Sequence, residues 1–424
     1  MSTLKVKIFS IYKRLFSSIA FYPSLILVLF LITAGLMLSF EDSNTTKWLI
    51  EHAPYLVINN ADTARSILST MIGGLISLMV FNFSMVMMIL NQASSNFSPR
   101  LLPGLISDKR NQIVLGAYLG TIVYNIIILM SVLPEGNKYT LNGFSILLGM
   151  IMAISCLGAF IYFIHTISNS IQINNILENI FNTTKNKLLY LINKDVLEDD
   201  TSIGEQDDWH YIKSTSSGYY QGVNLKGLLE FCQKTKVSIK VIPFKGSYIL
   251  PNIKLAAIDK KLDESEIKSL KEYLIFSDSL DIQDNYSLGI KHMTEVGIKA
   301  MSPGINDPGT ALMTINYLTE IITLRMKLDE KEVYASEDKN YILELQPVSF
   351  KTLMYRMLAE YRQYCKHDII LMEKIVKMLL YLLKQPAKNQ SYYDILEKEL
   401  AITKTDIQDS ISNPSDKKKL LELI

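Results

Sequence analysis

Four apolar runs without a single Asp, Glu, Lys or Arg fill the first 170 residues of this 424-residue chain, and no other feature restricts its fold as strongly. The runs occupy residues 21–40, 67–92, 113–134 and about 143–168. Each reaches the roughly 20 helical residues needed to cross a hydrocarbon core about 30 Å thick. Only helices and closed barrels satisfy their backbone hydrogen bonds in lipid, and the alternation of polar and apolar residues that marks barrel strands is absent here. The expectation is therefore a four-helix transmembrane domain over 1–170, followed by ordinary soluble-looking sequence.

The flanks set an orientation. Lys5, Lys7, Lys13 and Arg14 precede the first run with no acid among them, and the second connecting loop carries Arg100, Lys109 and Arg110 against Asp108. The first loop is acid-rich instead, with Glu41, Asp42, Glu51 and Asp62 against Lys47 and Arg65. Positive charge marks the inner side, so both termini are expected in the cytoplasm and the protein in a bacterial inner membrane, with the lipid bilayer as its first partner. The first run is too long for a cleaved signal peptide and is expected to remain as an anchor. Cys156, Cys232 and Cys365 form neither a CxxC pair nor a zinc spacing, so they read as reduced structural residues.

Thr70, Ser77, Ser84 and Asn91 recur every seven residues in the second run, which places them on one slowly drifting stripe of a helix. With Gly73 and Gly74 beside them, such small polar residues serve either to let another helix approach or to line a wetted pathway. Gly116 and Gly120 in the third run, and Gly149 with Ala153 in the fourth, are packing signals that do not say whether the neighbour belongs to the same subunit.

Beyond residue 170 an amphipathic pattern, Ile173, Ile176, Leu177, Ile180, Phe181 and Leu188, predicts a helical stalk over 171–194, or a helix that simply packs. Residues 195–208 hold seven acids and no base, which suggests a solvated linker, here 195–210. A small α+β module is expected over 211–280. Its extended stretches are 211–221 and 237–244, with shorter ones at 247–250 and 253–258. Its helices are 225–235, capped by Asn224, and one opened by the Asp263/Glu266 capping pattern and running to about 276. The remainder, 281–424, reads as a helical cytoplasmic domain.

Two helices of that domain flank Ser302, Pro303, Gly304, Ile305, Asn306, Asp307, Pro308, Gly309 and Thr310. Asp307 suits an N-cap and Pro308 the first helical position, so a tight corner between helices accounts for the segment. An anion site on free amides is the competing idea, although the Asp307 carboxylate would compete for those donors. His292, Glu295 and Lys299 share a face that reads as solvated, and His165 reads as a hydrated anchor at the end of the fourth run.

The segment from Ala93 to Leu102, with Ser95, Asn96, Ser98, Pro99 and Arg100, resembles a hallmark of an uncharacterised bacterial membrane-protein family known only as the domain of unknown function DUF2254. Lys299 to Pro308, with Thr310 and Ala311, resembles its second hallmark. Asn96 stands where Gln is expected and Met301 where Leu is. The resemblance implies N-terminal spans with a C-terminal cytoplasmic domain, and it supplies no activity. Both hallmarks would lie on the inner side of the membrane, with Arg100 facing Asp307 or the amides of the corner.

No nucleophile elbow, Walker loop, dinucleotide fingerprint, metal motif or paired carboxylates occur, so neither an enzyme nor a cofactor or metal is expected. A net charge of +1 argues against nucleic acid. Two functions remain. One is an oligomeric ion or small-solute pathway lined by Thr70, Ser77, Ser84 and Asn91 and controlled by the cytoplasmic domain. The other is a membrane-anchored sensor or scaffold whose cytoplasmic domain binds an unknown ligand or partner.

Overall fold

The computed structural model of the chain describes residues 20–40, 58, 60–96, 109–132, 143–170, 172–193, 209–277, 285–336 and 340–424. Its contacts divide it into two compact units, 1–172 and 173–424.

The first unit contains α1 (Phe21–Phe40), α2 (Ala61–Asn96), α3 (Lys109–Ser131) and α4 (Gly143–Ser170). All four are long and apolar enough to cross a membrane. α2 begins before its apolar run because Asn60 caps it, accepting from the Asp62 and Thr63 amides at 2.9 Å. α1 lies along α3, its most extensive neighbour. The GxxxG spacing makes this possible: a Cβ on Gly116 would sit 3.0 Å from Pro23 Cα, and one on Gly120 would sit 2.6 Å from the Phe30 ring. Gly149 gives the same room to Asn125 and Tyr124 of α3. Those glycine contacts are thus made within one subunit. Hydrogen bonds from Tyr118 to the Cys156 carbonyl (2.7 Å) and from Tyr124 to the Ser145 carbonyl (3.0 Å) tie α3 to α4. At one end of the unit, Arg65 closes the last turn of α3 by donating to the Val132 carbonyl at 2.8 Å.

The second unit begins with α5 (Ile173–Ile192), which packs on two later helices of the same unit. The acidic linker, 195–208, lies outside the described residues. Next come β1 (His210–Lys213), β2 (Gly218–Val223), α6 (Leu225–Thr235), β3 (Ile239–Val241), β4 (Tyr248–Ile249), β5 (Lys254–Ile258), α7 (Glu264–Tyr273) and β6 (Leu274–Ser277). α8 (Tyr286–Ala300) and α9 (Pro308–Arg325) follow, then β7 (Glu332–Ala335) and β8 (Ile342–Leu345). The chain closes with α10 (Phe350–Cys365), α11 (Ile369–Leu382), α12 (Ser391–Ser410) and α13 (Pro414–Leu421).

Two sheets form, ordered β1-β5-β3-β8-β7 and β4-β2-β6. The extended stretch expected at 211–221 is broken in two, because Ser214 turns the chain by pairing with Ile253 and with the Ser216 carbonyl. Its halves join different sheets. The helix expected to reach 276 stops at Tyr273, since the next four residues pair with β2. The region expected to be mostly helical after 281 also supplies two strands. β8 runs parallel to β3, with Ile239, Lys240 and Val241 opposite Leu343, Glu344 and Leu345. The α+β module therefore does not close at 280 but draws its middle from two distant segments. Leu228, Phe231 and Cys232 of α6 cover one face of the five-stranded sheet, against Ile239, Val241, Leu255 and Leu343.

Candidate functional site

The stripe on α2 faces away from the other three helices. Thr70, Ser77, Ser84 and Asn91 are exposed, and a Cβ on Gly73 or Gly74 would meet nothing within 4 Å. The three hydroxyls each donate to the carbonyl four residues earlier, at 2.8, 2.9 and 2.9 Å. Asn82 points the opposite way: it is fully buried beside the Tyr118 hydroxyl, which donates to the Cys156 carbonyl.

Ser95 and Asn96 end α2, while Ser98, Pro99 and Arg100 lie outside the described residues, and with them the pairing expected between Arg100 and Asp307. The second hallmark is a corner. α8 ends at Ala300, and Asn306 takes a positive φ of 48° so that the chain can reverse. The Asp307 amide then returns to the Ala300 carbonyl at 2.8 Å. Asp307 caps α9 by accepting from the Thr310 amide (3.1 Å) and hydroxyl (2.5 Å), so its carboxylate occupies donors that an anion would need. Pro303, Gly304, Ile305 and Asn306 form an exposed tip, with Ser302 half-buried.

One expectation is corrected nearby. His292 does not lie on a solvated face, for it is 3% exposed, with Nδ1 3.2 Å from Glu295 Oε2. α8 is covered by α5, α9 and α10 together, which leaves little of its circumference to water. His165 of α4 is exposed. Among the described residues no cluster of three His, Cys, Asp or Glu is placed to hold a metal ion.

The second unit also contains a cleft of about 350 Å³ that no motif announces. Three elements build it. The turn Phe244, Lys245, Gly246 forms one wall, the first half of α8 from Asn285 to Thr294 another, and Leu353, Arg356, Met357 and Glu360 of α10 the third. The turn is fixed by its backbone: Gly246 has φ 89° and donates to the Tyr220 carbonyl at 2.7 Å, while Asn285 Nδ2 donates to the Lys245 carbonyl at 3.1 Å. The Lys245 stem lies against Gly222, where φ is 129° in a bulge of β2 and a Cβ would stand 2.7 Å from Lys245 Cε. Arg356 lies over the Phe244 ring, 5.8 Å from its centroid, and forms no ion pair among the described residues. Lys291 sits 3.7 Å from Glu295. Burial, reinforced by the Glu295 charge and opposed by Lys291 and Arg356, raises the pKa of Glu360. Lys245, Lys291, Arg356 and Glu360 thus line one cleft together with Phe244, Leu288 and Met357. Residues 244–246, 285–294 and 353–360 are far apart in the chain, so only the shared positive charge of Lys245, Lys291 and Arg356 could have hinted at it.

Four helices long and apolar enough to cross a membrane, followed by a separate mixed α/β and helical unit, are the pattern of a membrane-protein class with several candidate spans. The chain belongs to the family described as Predicted membrane protein (DUF2254), whose model matches residues 16–381. It is similar to the uncharacterized protein MT1328 of Mycobacterium tuberculosis (strain CDC 1551 / Oshkosh), 23% identical over 337 residues that cover 74% of this chain and 63% of the relative. The uncharacterized protein Mb1321c of Mycobacterium bovis matches with the same identity and coverage. The chain therefore spans less than two thirds of the length of these relatives, and neither name states an activity. No solved structure matches the chain.

Proposed function

We propose that this protein forms a homo-oligomer in the bacterial inner membrane, both termini in the cytoplasm, in which copies of α2 surround an ion or small-solute pathway controlled by the second unit. The observation that carries this reading is the outward direction of the Thr70, Ser77, Ser84, Asn91 stripe. Hydroxyls bonded to their own helix are tolerated in lipid, but lipid gives no reason to collect them on one face beside two glycines. A neighbouring α2 gives one, because the small residues permit close approach and the polar groups keep a central path wet. Purified protein reconstituted in liposomes tests it. Salt or small-solute flux is expected, and Ser77→Leu or Ser84→Leu should cut it about tenfold or more by drying and narrowing the path. Ile126→Val on α3 should leave it unchanged. A monomeric particle that passes no solute under varied ionic conditions removes the reading.

A second reading, a membrane-anchored sensor or scaffold, is favoured by a different observation, the cleft between the Phe244–Gly246 turn, α8 and α10.

A further inference from the structure

We propose that the turn between β4 and β5 is an interfacial anchor for an anionic lipid surface, with Tyr248, Leu250 and Ile253 entering the headgroup region and Lys213 and Lys254 meeting the lipid phosphates. The inference goes beyond both readings above and rests only on what they share, a chain held in a bilayer.

The turn is built to keep large side chains outside. Pro251 stands at its second position and Asn252 at its third with a positive φ of 68°, while the Ile253 amide returns to the Leu250 carbonyl at 3.2 Å, as in a type II turn. It is stapled to the end of β1: the Asn252 amide donates to the Ser214 carbonyl at 2.9 Å, and the Ser214 amide to the Ile253 carbonyl at 2.8 Å. Ile249 points into the core, so Tyr248 and Leu250 on either side of it point out. Leu250 is 54% exposed, Ile253 47%, Tyr248 55% and Tyr211 of β1 49%. One such side chain is ordinary on a surface. Four gathered about one fixed turn form a patch that calls for an apolar partner.

Charge selects the partner. Lys213 and Lys254 stand directly opposite each other on β1 and β5, where like charges repel. Neither has an ion pair among the described residues, and Lys254 lies over the Tyr211 ring instead, 3.5 Å from its centroid. The wider segment is basic too, for residues 209–258 hold seven lysines against one acid, Glu230. The acid-rich stretch 195–208 precedes His210, at the opposite end of β1 from Lys213. Aliphatic side chains at a tip, tyrosines beside them and lysines at the rim are the chemistry of a lipid–water interface. Because α5 begins at Ile173, just after α4 ends at Ser170, spans held in a bilayer keep the second unit beside it, and a weak anchor is enough.

The test uses the full chain in nanodiscs, with Ile253→Cys labelled by an environment-sensitive fluorophore. Cys156, Cys232 and Cys365 are buried and stay unlabelled. Discs of phosphatidylglycerol are compared with discs of phosphatidylcholine, both with brominated acyl chains as quenchers. In the anionic discs the emission should shift to shorter wavelength and be quenched, and in the zwitterionic discs both effects should be weaker. Lys213→Glu together with Lys254→Glu should lower the docked population about tenfold or more, because two attractive charges become repulsive ones. Leu250→Asp, which keeps the lysines, should weaken quenching as well. All three positions are exposed, so these exchanges leave the fold intact. A label that stays in water in anionic discs, or quenching that the variants leave unchanged, overturns the proposal. So does shielding without bromine quenching when two I253C copies cross-link, which assigns the patch to a second copy of the chain. None of these outcomes bears on solute flux or on the cleft, so this inference and the readings above can fail separately.

Discussion

Among the described residues Arg325 is the largest fully buried side chain, and its surroundings explain why a charge survives there. Its guanidinium donates to the Leu328 carbonyl at 3.0 Å and the Tyr392 hydroxyl at 3.1 Å, and lies 3.6 Å from Glu330. Glu330 in turn accepts from the Phe350 amide at 2.9 Å, so one buried cation joins the end of α9 to the starts of α10 and α12. Burial alone would lower its pKa, but Tyr286, Tyr392 and Glu330 outweigh that and keep it charged. Lys240 and Glu344, adjacent on β3 and β8 with 3.7 Å between charges, form a second buried ion pair, inside the sheet. Glu360 differs, because its raised pKa comes from burial and a like charge beside open space. The sign for stability follows. The folded chain keeps the Glu360 proton to a pH above the ordinary glutamate range, about 4.3, so ionising this carboxyl costs stability above its raised pKa, and the cost fades as pH falls towards that range. The charged groups acting on Glu360 are Glu295 and Lys291 of α8 and Arg356 of α10. Glu360→Gln should melt higher than the wild type at neutral pH, and that gain should shrink in thermal melts taken from pH 7.5 to 4.0. A gain that stays constant across that interval contradicts the assignment.

Among the elements, α8 is the axle of the second unit, and its glycines set how closely others approach. A Cβ on Gly289 would overlap Thr184 Oγ1 and stand 3.0 Å from Thr184 Cβ on α5, while one on Gly297 would overlap the Tyr361 hydroxyl and Thr314. Thr184 is fully buried and bonded to the Ile180 carbonyl, so it has no room to turn aside. Gly289→Ala should cost about 1–3 kcal/mol despite the gain in helix propensity, because overpacking forces the helices apart. Thr184→Ala in the same chain should recover most of that, which thermal melts of the four-member cycle would read as a coupling energy. Additive effects would mean that α5 and α8 do not meet there. Local signals of this kind were partly legible in the sequence. Asp263 and Glu266 make both bonds of the capping box, at 2.8 and 3.0 Å, and Asp307 with Pro308 opens α9 as their chemistry requires. Uncharged runs marked the four long helices because charge in lipid is prohibitive over their whole length. β8 escaped notice because Ile342, Leu343 and Leu345 face both sides of the sheet and show no alternation. The cleft was illegible for the same reason at a larger scale: its walls meet only when the Phe244–Gly246 turn, α8 and α10 are packed, and no local pattern encodes that meeting.

At the scale of the whole molecule, the position of α5 decides where the chain can be divided. The acidic stretch between α5 and β1 is the obvious boundary by composition, yet contacts place the division ahead of α5, between 172 and 173. Ile176, Leu177, Ile180, Phe181 and Leu188 are all buried on this helix. Phe181 also stacks on Tyr317 of α9 at 4.5 Å, and Lys185 is paired with Glu320. Burial of five large apolar side chains is worth on the order of 10 kcal/mol. That equals the whole net stability of an ordinary domain, about 5–15 kcal/mol. The first unit, in contrast, exposes Leu29, Met130, Ile154 and Ile161, each more than half accessible, a surface suited to lipid. A fragment comprising 173–424 should accordingly be soluble without detergent and melt in one cooperative transition followed by circular dichroism. A fragment comprising 209–424, cut after the acidic stretch, should aggregate or lose that transition, because α8 and α9 are stripped of their cover and the Thr184 slot at Gly289 lies open. Equal solubility and equal melting of the two fragments would show that α5 contributes nothing to the fold of the second unit and belongs with the spans before it.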